Sequence, residues 1–278
     1  MAESEGLGAG AGWGSGRMLR RPLALKEKLR NGGVAIGAWL TITDGAAAEI
    51  FGRTGFDFVI VDSEHGGAWD LKATHDMLMA LNGTDTVPIV RAPWNDHVRI
   101  KQLLDLGVEG ILAPMVNSVE ECKALVAACR YPPLGRRGLG PRRASNYYRN
   151  TEEYLAVANS AIFVMPQIEH IDVIPMLDQY LAVSGIDAVA IGPNDMAGTA
   201  GVFGNRRHPK IEAAVDAICA QSSKRGIPVF LGINTPASEQ RMWVRKGVRI
   251  LTVAGDHDLL ASGATAALRA TEEALAEG

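Results

Sequence analysis

Eight times along this chain a short apolar, β-branched run is followed by a longer stretch of helical periodicity, and this alternation constrains the fold more than any other feature. The runs are Val34–Thr41, Phe56–Asp62, Val87–Arg91, Gly110–Pro114, Ile162–Gln167, Asp187–Ile191, Pro228–Ile233 and Val248–Ala254. Helices are expected at Gly45–Arg53, Leu71–Leu81, Asp96–Leu106, Val119–Arg130, Ile171–Leu181, Lys210–Arg225, Ala237–Lys246 and His257–Leu275. Asn95-Asp96 and Ser118 offer N-cap side chains, while Gly55, Gly107, Gly226 and Gly247 stand where a helix turns back toward a strand. Eight strands with a helix each predict an α/β fold closed as a (β/α)8 TIM barrel. The rival, an open doubly wound sheet, calls for a phosphate-binding glycine turn after the first strand, and Gly37-Ala38-Trp39-Leu40-Thr41 is not one.

A content of 47% hydrophobic residues over 278 positions suits one large core, so residues 21–278 are expected to form a single barrel domain. Residues 1–20 are expected to be a flexible extension, because Met1–Arg17 is rich in Gly, Ala and Ser and lacks the apolar core of a secretory signal. A formal charge of −3 carries no footprint for nucleic acid. No uninterrupted apolar run approaches the roughly 18 residues of a membrane span. Cys122, Cys129 and Cys219 lack metal-type spacing and suit a reducing cytoplasm. The long stretch Tyr131–Asn150, which holds Arg136, Arg137, Arg142 and Arg143, is a candidate lid.

Barrel enzymes work at the C-terminal ends of their strands, so the polar residues that end each strand are the candidates for chemistry. Strand two ends in Asp62-Ser63-Glu64-His65, strand three in Arg91, strand five in Gln167-Ile168-Glu169 and strand six in Gly192-Pro193-Asn194-Asp195. Glu169 and Asp195 come from adjacent strands, as two ligands of one hard divalent cation, Mg²⁺ or Mn²⁺, would. Either carboxylate could instead cap a helix or pair with an arginine. His65 is placed to act as a general base. Arg91 is placed to stabilise negative charge on an oxygen, with a salt bridge to Glu64 as the structural alternative. A Schiff-base route needs a strand lysine, and all eight lysines fall in or beside helices.

These residues carry a resemblance. Phe56–His65, Val90-Arg91 with Trp94-Asn95-Asp96, Ile100–Asp105, Pro114-Met115-Val116, Arg130–Pro133, Arg137-Gly138, Gln167–Glu169 and Ile191–Asp195 follow in the order and spacing of the HpcH/HpaI class II pyruvate aldolases, and the likeness extends over roughly residues 24–275. The resemblance implies a phosphoenolpyruvate/pyruvate-type barrel that catalyses reversible aldol addition of pyruvate or a related 2-keto acid, such as hydroxypyruvate, to an aldehyde through a metal-stabilised enolate. It implies His65 as base, Arg91 as transition-state stabiliser, and Asp105 as the carboxylate that raises the basicity of His65. It further implies Glu169 and Asp195 as metal ligands, and Gln167, Asn194 and Asp195 as substrate contacts. Mg²⁺ or Mn²⁺ is the expected cofactor, with Co²⁺ as a further candidate and no organic cofactor. A cytoplasmic homohexamer with an exchanged C-terminal helix is the implied assembly. The chain departs from the family at Ser63, Asn194 and Met196. The bottom-up placement disagrees with the resemblance at Asp105, which falls at the end of a helix on the face opposite the mouth. The alternatives are an acyl-CoA thioester lyase of the citrate or malyl-CoA lyase type, and a non-catalytic barrel scaffold.

Overall fold

The computed structural model describes residues 18–276, so Met1–Arg17 of the expected extension lies outside the described residues. Eight parallel strands close in sequence order into a barrel: β1 (Ala35–Leu40), β2 (Phe58–Asp62), β3 (Val87–Arg91), β4 (Gly110–Ala113), β5 (Phe163–Ile168), β6 (Val189–Ile191), β7 (Val229–Asn234) and β8 (Val248–Gly255). Every expected strand is present, with each end within two residues of its expected position.

Around them lie α1 (Arg20–Arg30), α2 (Gly45–Arg53), α3 (Leu71–Ala80), α4 (His97–Asp105), α5 (Val119–Cys129), α6 (Thr151–Ala161), α7 (Leu177–Leu181), α8 (Pro193–Thr199), α9 (Pro209–Lys224), α10 (Ala237–Arg245) and α11 (Asp256–Ala276). The carboxylates of Asp70 and Asp96 and the hydroxyl of Ser118 accept from backbone N–H groups at the starts of α3, α4 and α5, which satisfies donors that the first turn leaves free. The helix expected over Ile171–Leu181 is split, because Pro175 lacks an N–H and Ile171–Met176 tightens into a 3-10 turn ahead of α7.

Two cores follow from the period-two alternation of the strands. Inward side chains, among them Trp39, Phe58, Ile60, Ile89, Leu112, Phe163, Met165 and Phe230, fill the barrel. Their outward neighbours, such as Val59, Val61, Val90 and Val164, pack under the helices. Helix α1, not expected from the sequence, closes the N-terminal end of the barrel by burying Leu25 and Leu29 against the inner core. Its ion pairs reach residues that precede three different strands: Arg21 to Glu109 at 2.6 Å, Lys26 to Asp187 at 2.8 Å and Lys28 to Asp57 at 2.7 Å.

The stretch Tyr131–Asn150 is not a lid. It connects the end of α5 to α6, which leads into β5, and such a connection lies at the N-terminal face by topology. Arg143 Nη1 donates to the Leu106 carbonyl at 2.6 Å and Nη2 to that of Leu78 at 3.3 Å, beneath α4 and α3. Helix α11 is exposed along its length beyond Asp256, with Leu259, Leu260, Leu268 and Leu275 all open to solvent. Among the described residues no helix is long and apolar enough to cross a membrane.

Candidate active site

The strand parity that fills the barrel also delivers the site. In β2 the inward series is Phe58, Ile60 and Asp62; in β3 it is Val87, Ile89 and Arg91; in β5 it is Phe163, Met165 and Gln167, and Glu169 continues it one step past the strand end. The last inward side chain of each strand therefore changes from apolar to charged or amide as the mouth is reached.

The register of β2 on β3 sets Asp62 opposite Arg91. Arg91 Nε donates to Asp62 Oδ1 at 2.8 Å and Nη2 to Oδ2 at 2.6 Å, a bidentate pair in which Asp62 is 2% exposed. Arg91 Nη1 lies 3.2 Å from Glu64 Oε2, and the guanidinium stacks 4.6 Å from the centre of the Trp39 ring. The salt bridge to Glu64 is thus present, and Asp62, which sequence reasoning passed over, is the stronger anchor. Asp62 Oδ1 also accepts from the backbone N–H of Glu64 at 3.1 Å and of His65 at 3.2 Å, so one carboxylate fixes both Arg91 and the start of the following loop. Burial works to raise the Asp62 carboxyl, but Arg91 and the two backbone donors outweigh it and hold the group below the usual aspartate range.

Glu64 is in the opposite state. Burial pushes its carboxyl up to about 7; Arg91 opposes this, while the facing carboxylates Glu169, Asp62 and Asp195 add to it. Its Oε2 is buried and makes no hydrogen bond of its own. His65 stands at the rim with its side chain 67% exposed and Nε2 3.8 Å from Glu64 Oε2.

Across the mouth, Glu169 is 2% exposed. Its Oε1 accepts from the Met115 N–H and its Oε2 from Gln167 Nε2. Met115 presents that N–H from a left-handed backbone at φ 51°, an uncommon conformation for a residue with a side chain. Burial raises the Glu169 carboxyl, the two hydrogen bonds oppose it, and Asp195 raises it further. Gln167 Oε1 is buried without a donor. Asp195 and Asn194 lie exposed in the first turn of α8, beside Glu169, because β6 pairs with β5 through Ile168 and Ile191. A side chain at Gly192 would meet Glu169 Cβ and Oε2 at 2.7 Å, so only glycine lets α8 approach this closely.

The mouth thus gathers His65, Arg91, Gln167, Glu169, Asn194 and Asp195. Asp105 is not among them: it ends α4 at the N-terminal face, where its Oδ1 accepts from Arg137 Nη2 at 2.8 Å. Within one chain Asp105 therefore does not reach His65. None of the eight strands contains a lysine. The three cysteines are buried, and burial pushes each thiol up, which leaves them as packing residues.

A closed barrel whose mouth opposes a bound arginine to several carboxylates defines an enzyme that manages charge on substrate oxygens. The chain matches the HpcH/HpaI aldolase/citrate lyase family over residues 35–262 and belongs to that family. It is 38% identical over 246 residues to a 4-hydroxy-2-oxo-heptane-1,7-dioate aldolase of Salmonella paratyphi C, across 87% of this chain and 92% of that protein. Among solved structures it resembles a HpcH/HpaI aldolase/citrate lyase family protein of Burkholderia cenocepacia J2315, with TM-score 0.82, 28% identity, and coverage of 91% and 98% of the two chains. It resembles the HpcH/HpaI aldolase of Desulfitobacterium hafniense DCB-2 to the same TM-score of 0.82, with 29% identity and coverage of 90% and 96%. The chain is a carbon–carbon lyase of the aldolase type.

Proposed function

We propose that this enzyme catalyses divalent-cation-dependent, reversible aldol addition of pyruvate or a related 2-keto acid such as hydroxypyruvate to an aldehyde. The observation that carries the proposal is the pairing of Glu169 and Asp195 at the ends of adjacent strands, facing Arg91 and the β2 loop across one mouth. Their fit to a hard cation rests on the charge balance. Glu169 and Asp195 both add to the cost of ionising the buried Glu64, Asp195 adds to that of the buried Glu169, and Arg91, which faces Glu64, is already held by Asp62. Among the described residues no three acidic, histidine or cysteine side chains converge as ligands, so two carboxylates would hold the ion and leave its remaining positions to solvent and substrate oxygens. Mg²⁺ and Mn²⁺ suit such an all-oxygen set, and Co²⁺ is a further candidate.

When bound, the cation supplies Lewis acidity that lowers the pKa of the protons next to the keto group. His65, exposed at the rim, takes the proton from the carbon that becomes nucleophilic. Arg91, immobilised by Asp62 and Trp39, faces negative charge on oxygen without having to reorganise. Gln167 holds Glu169 through its amide N–H and leaves a buried carbonyl for a substrate or solvent donor, while Asn194 lines the opposite rim. Asp105 acts, in this reading, on the His65 of another subunit. In this reading the enzyme works as a cytoplasmic homohexamer, and the uncovered apolar residues of α11 support self-association.

The test is release of pyruvate from 4-hydroxy-2-oxoheptane-1,7-dioate by chelator-stripped protein, followed with lactate dehydrogenase and NADH. Cleavage should appear on addition of Mg²⁺ or Mn²⁺ and be absent before it. Equal cleavage by the stripped protein, or none with either ion for any 4-hydroxy-2-oxo acid, contradicts the proposal.

A further inference from the structure

An aldol addition removes a proton from the carbon of the 2-keto acid and must deliver one to the oxygen of the former aldehyde. His65 accounts for the first transfer but not for the second, and Arg91, anchored by Asp62, is a guanidinium, which does not serve as a proton donor at neutral pH. One side chain stands between the base and the oxyanion-binding cation. Glu64 Oε2 is 3.8 Å from His65 Nε2 and 3.2 Å from Arg91 Nη1, and it is a buried oxygen with no hydrogen bond of its own. An alkoxide held by Arg91 is therefore within reach of the Glu64 carboxyl, while rotation of the exposed His65 ring closes the gap on the other side.

We propose that Glu64 is a catalytic residue that relays the proton from His65 to the aldol oxygen. The inference rests on the aldolase reading above and deepens it. In the addition direction His65 takes the proton from the keto-acid carbon, the freed electron pair forms the new carbon–carbon bond, and the carbonyl π pair moves onto the aldehyde oxygen. Glu64 gives its carboxyl proton to that oxygen and is reprotonated by the His65 imidazolium, so both groups return to their starting states. In cleavage Glu64 first passes its proton to His65, its carboxylate then takes the hydroxyl proton as the carbon–carbon bond breaks, and the His65 imidazolium protonates the keto-acid carbon, so both groups again return to their starting states. The groups that face Glu64 are Arg91 from β3, Asp62 from β2, Glu169 beyond β5 and Asp195 from α8, with His65 beside it. Burial, the largest influence on Glu64, favours its protonated carboxyl, and Arg91 opposes this.

The experiment compares two rates in the Mg²⁺-loaded enzyme and in Glu64→Gln. The first is deuterium exchange at the pyruvate methyl group, which needs only His65, since the exposed imidazole can be reprotonated from solvent. The second is cleavage of 4-hydroxy-2-oxoheptane-1,7-dioate. The relay predicts exchange within about threefold of the wild type and cleavage lowered about 10²-fold, the scale of one general acid–base group. Glu64→Asp should recover part of the cleavage rate. Equal losses in both rates would reduce Glu64 to a support for Arg91, and unchanged cleavage would remove it from the reaction; either result overturns the relay. A wild-type enzyme that neither exchanges nor cleaves overturns the aldolase reading instead.

Discussion

Replacing Asp62 by Asn should cost the fold about 3 kcal/mol. The Asn carbonyl can occupy the place of Oδ1 and keep accepting from the Glu64 and His65 N–H groups and from Arg91 Nε. The amide nitrogen then confronts Arg91 Nη2, donor against donor, where a 2.6 Å charge-assisted bond had been. That bond alone is worth about 1.5–3 kcal/mol, and breaking one side of a buried ion pair costs about 3–5 kcal/mol. The lower end applies because Arg91 keeps Glu64 Oε2 and the Trp39 ring. At about 2–4 °C per kcal/mol for a chain of this size, Tm should fall by about 6–12 °C. Urea unfolding of the stripped protein at pH 7 measures the loss directly. Asp62 is held below the usual aspartate range, so its contribution is full above about pH 4, the unfolded value, and fades as pH falls through the folded one. Wild type and variant should therefore converge in acid. A loss below about 1 kcal/mol at pH 7, or a difference that grows in acid, refutes the anchoring role.

Gly192→Ala should drive Glu169 from its place, since the new methyl would stand 2.7 Å from Glu169 Oε2; Mn²⁺ affinity by calorimetry should fall at least tenfold, and an unchanged affinity would separate Glu169 from the ion. Leu29→Ala should lose about 2–5 kcal/mol in urea unfolding, because α1 is a plug of the inner core, and a loss under about 0.5 kcal/mol would make α1 a surface appendage. Glu64 has a raised folded value, so what it contributes below its unfolded value is lost as pH rises toward about 7. Glu64→Gln should then stabilise the stripped protein at pH 8 by up to about 3 kcal/mol while leaving pH 4 nearly unchanged, as pH-dependent unfolding would show.

The strands were legible because both faces of a parallel barrel strand are buried, which makes each one a dense apolar run such as Phe58-Val59-Ile60-Val61. The mouth residues were legible for a related reason: topology alone assigns the residue after a strand to one face, so His65, Arg91, Glu169 and Asp195 could be grouped before any geometry was known. The same rule places Tyr131–Asn150 at the other face, and the lid expectation failed because that stretch follows a helix rather than a strand. Helix α1 carried a usable signal in Leu25 and Leu29 at i,i+4 spacing, but it precedes the first βα unit and so lay outside the repeat. Asp62 was hidden for another reason. Its pairing with Arg91 depends on the register of β2 against β3, which no local pattern encodes. The elevated Glu64 carboxyl was equally hidden, since it arises first from burial and then from carboxylates on β2, beyond β5 and in α8, all of which come together only when the barrel closes.

Deuterium exchange at the pyruvate methyl group, followed by proton NMR with chelator-stripped protein and with added Mg²⁺, probes enolate formation without requiring the aldehyde to be known. Exchange that appears with Mg²⁺ and is abolished both by His65→Ala and by Glu169→Gln is the predicted result. Exchange that persists in the stripped protein, or that survives loss of His65, would contradict a cation held at Glu169 and a base at His65.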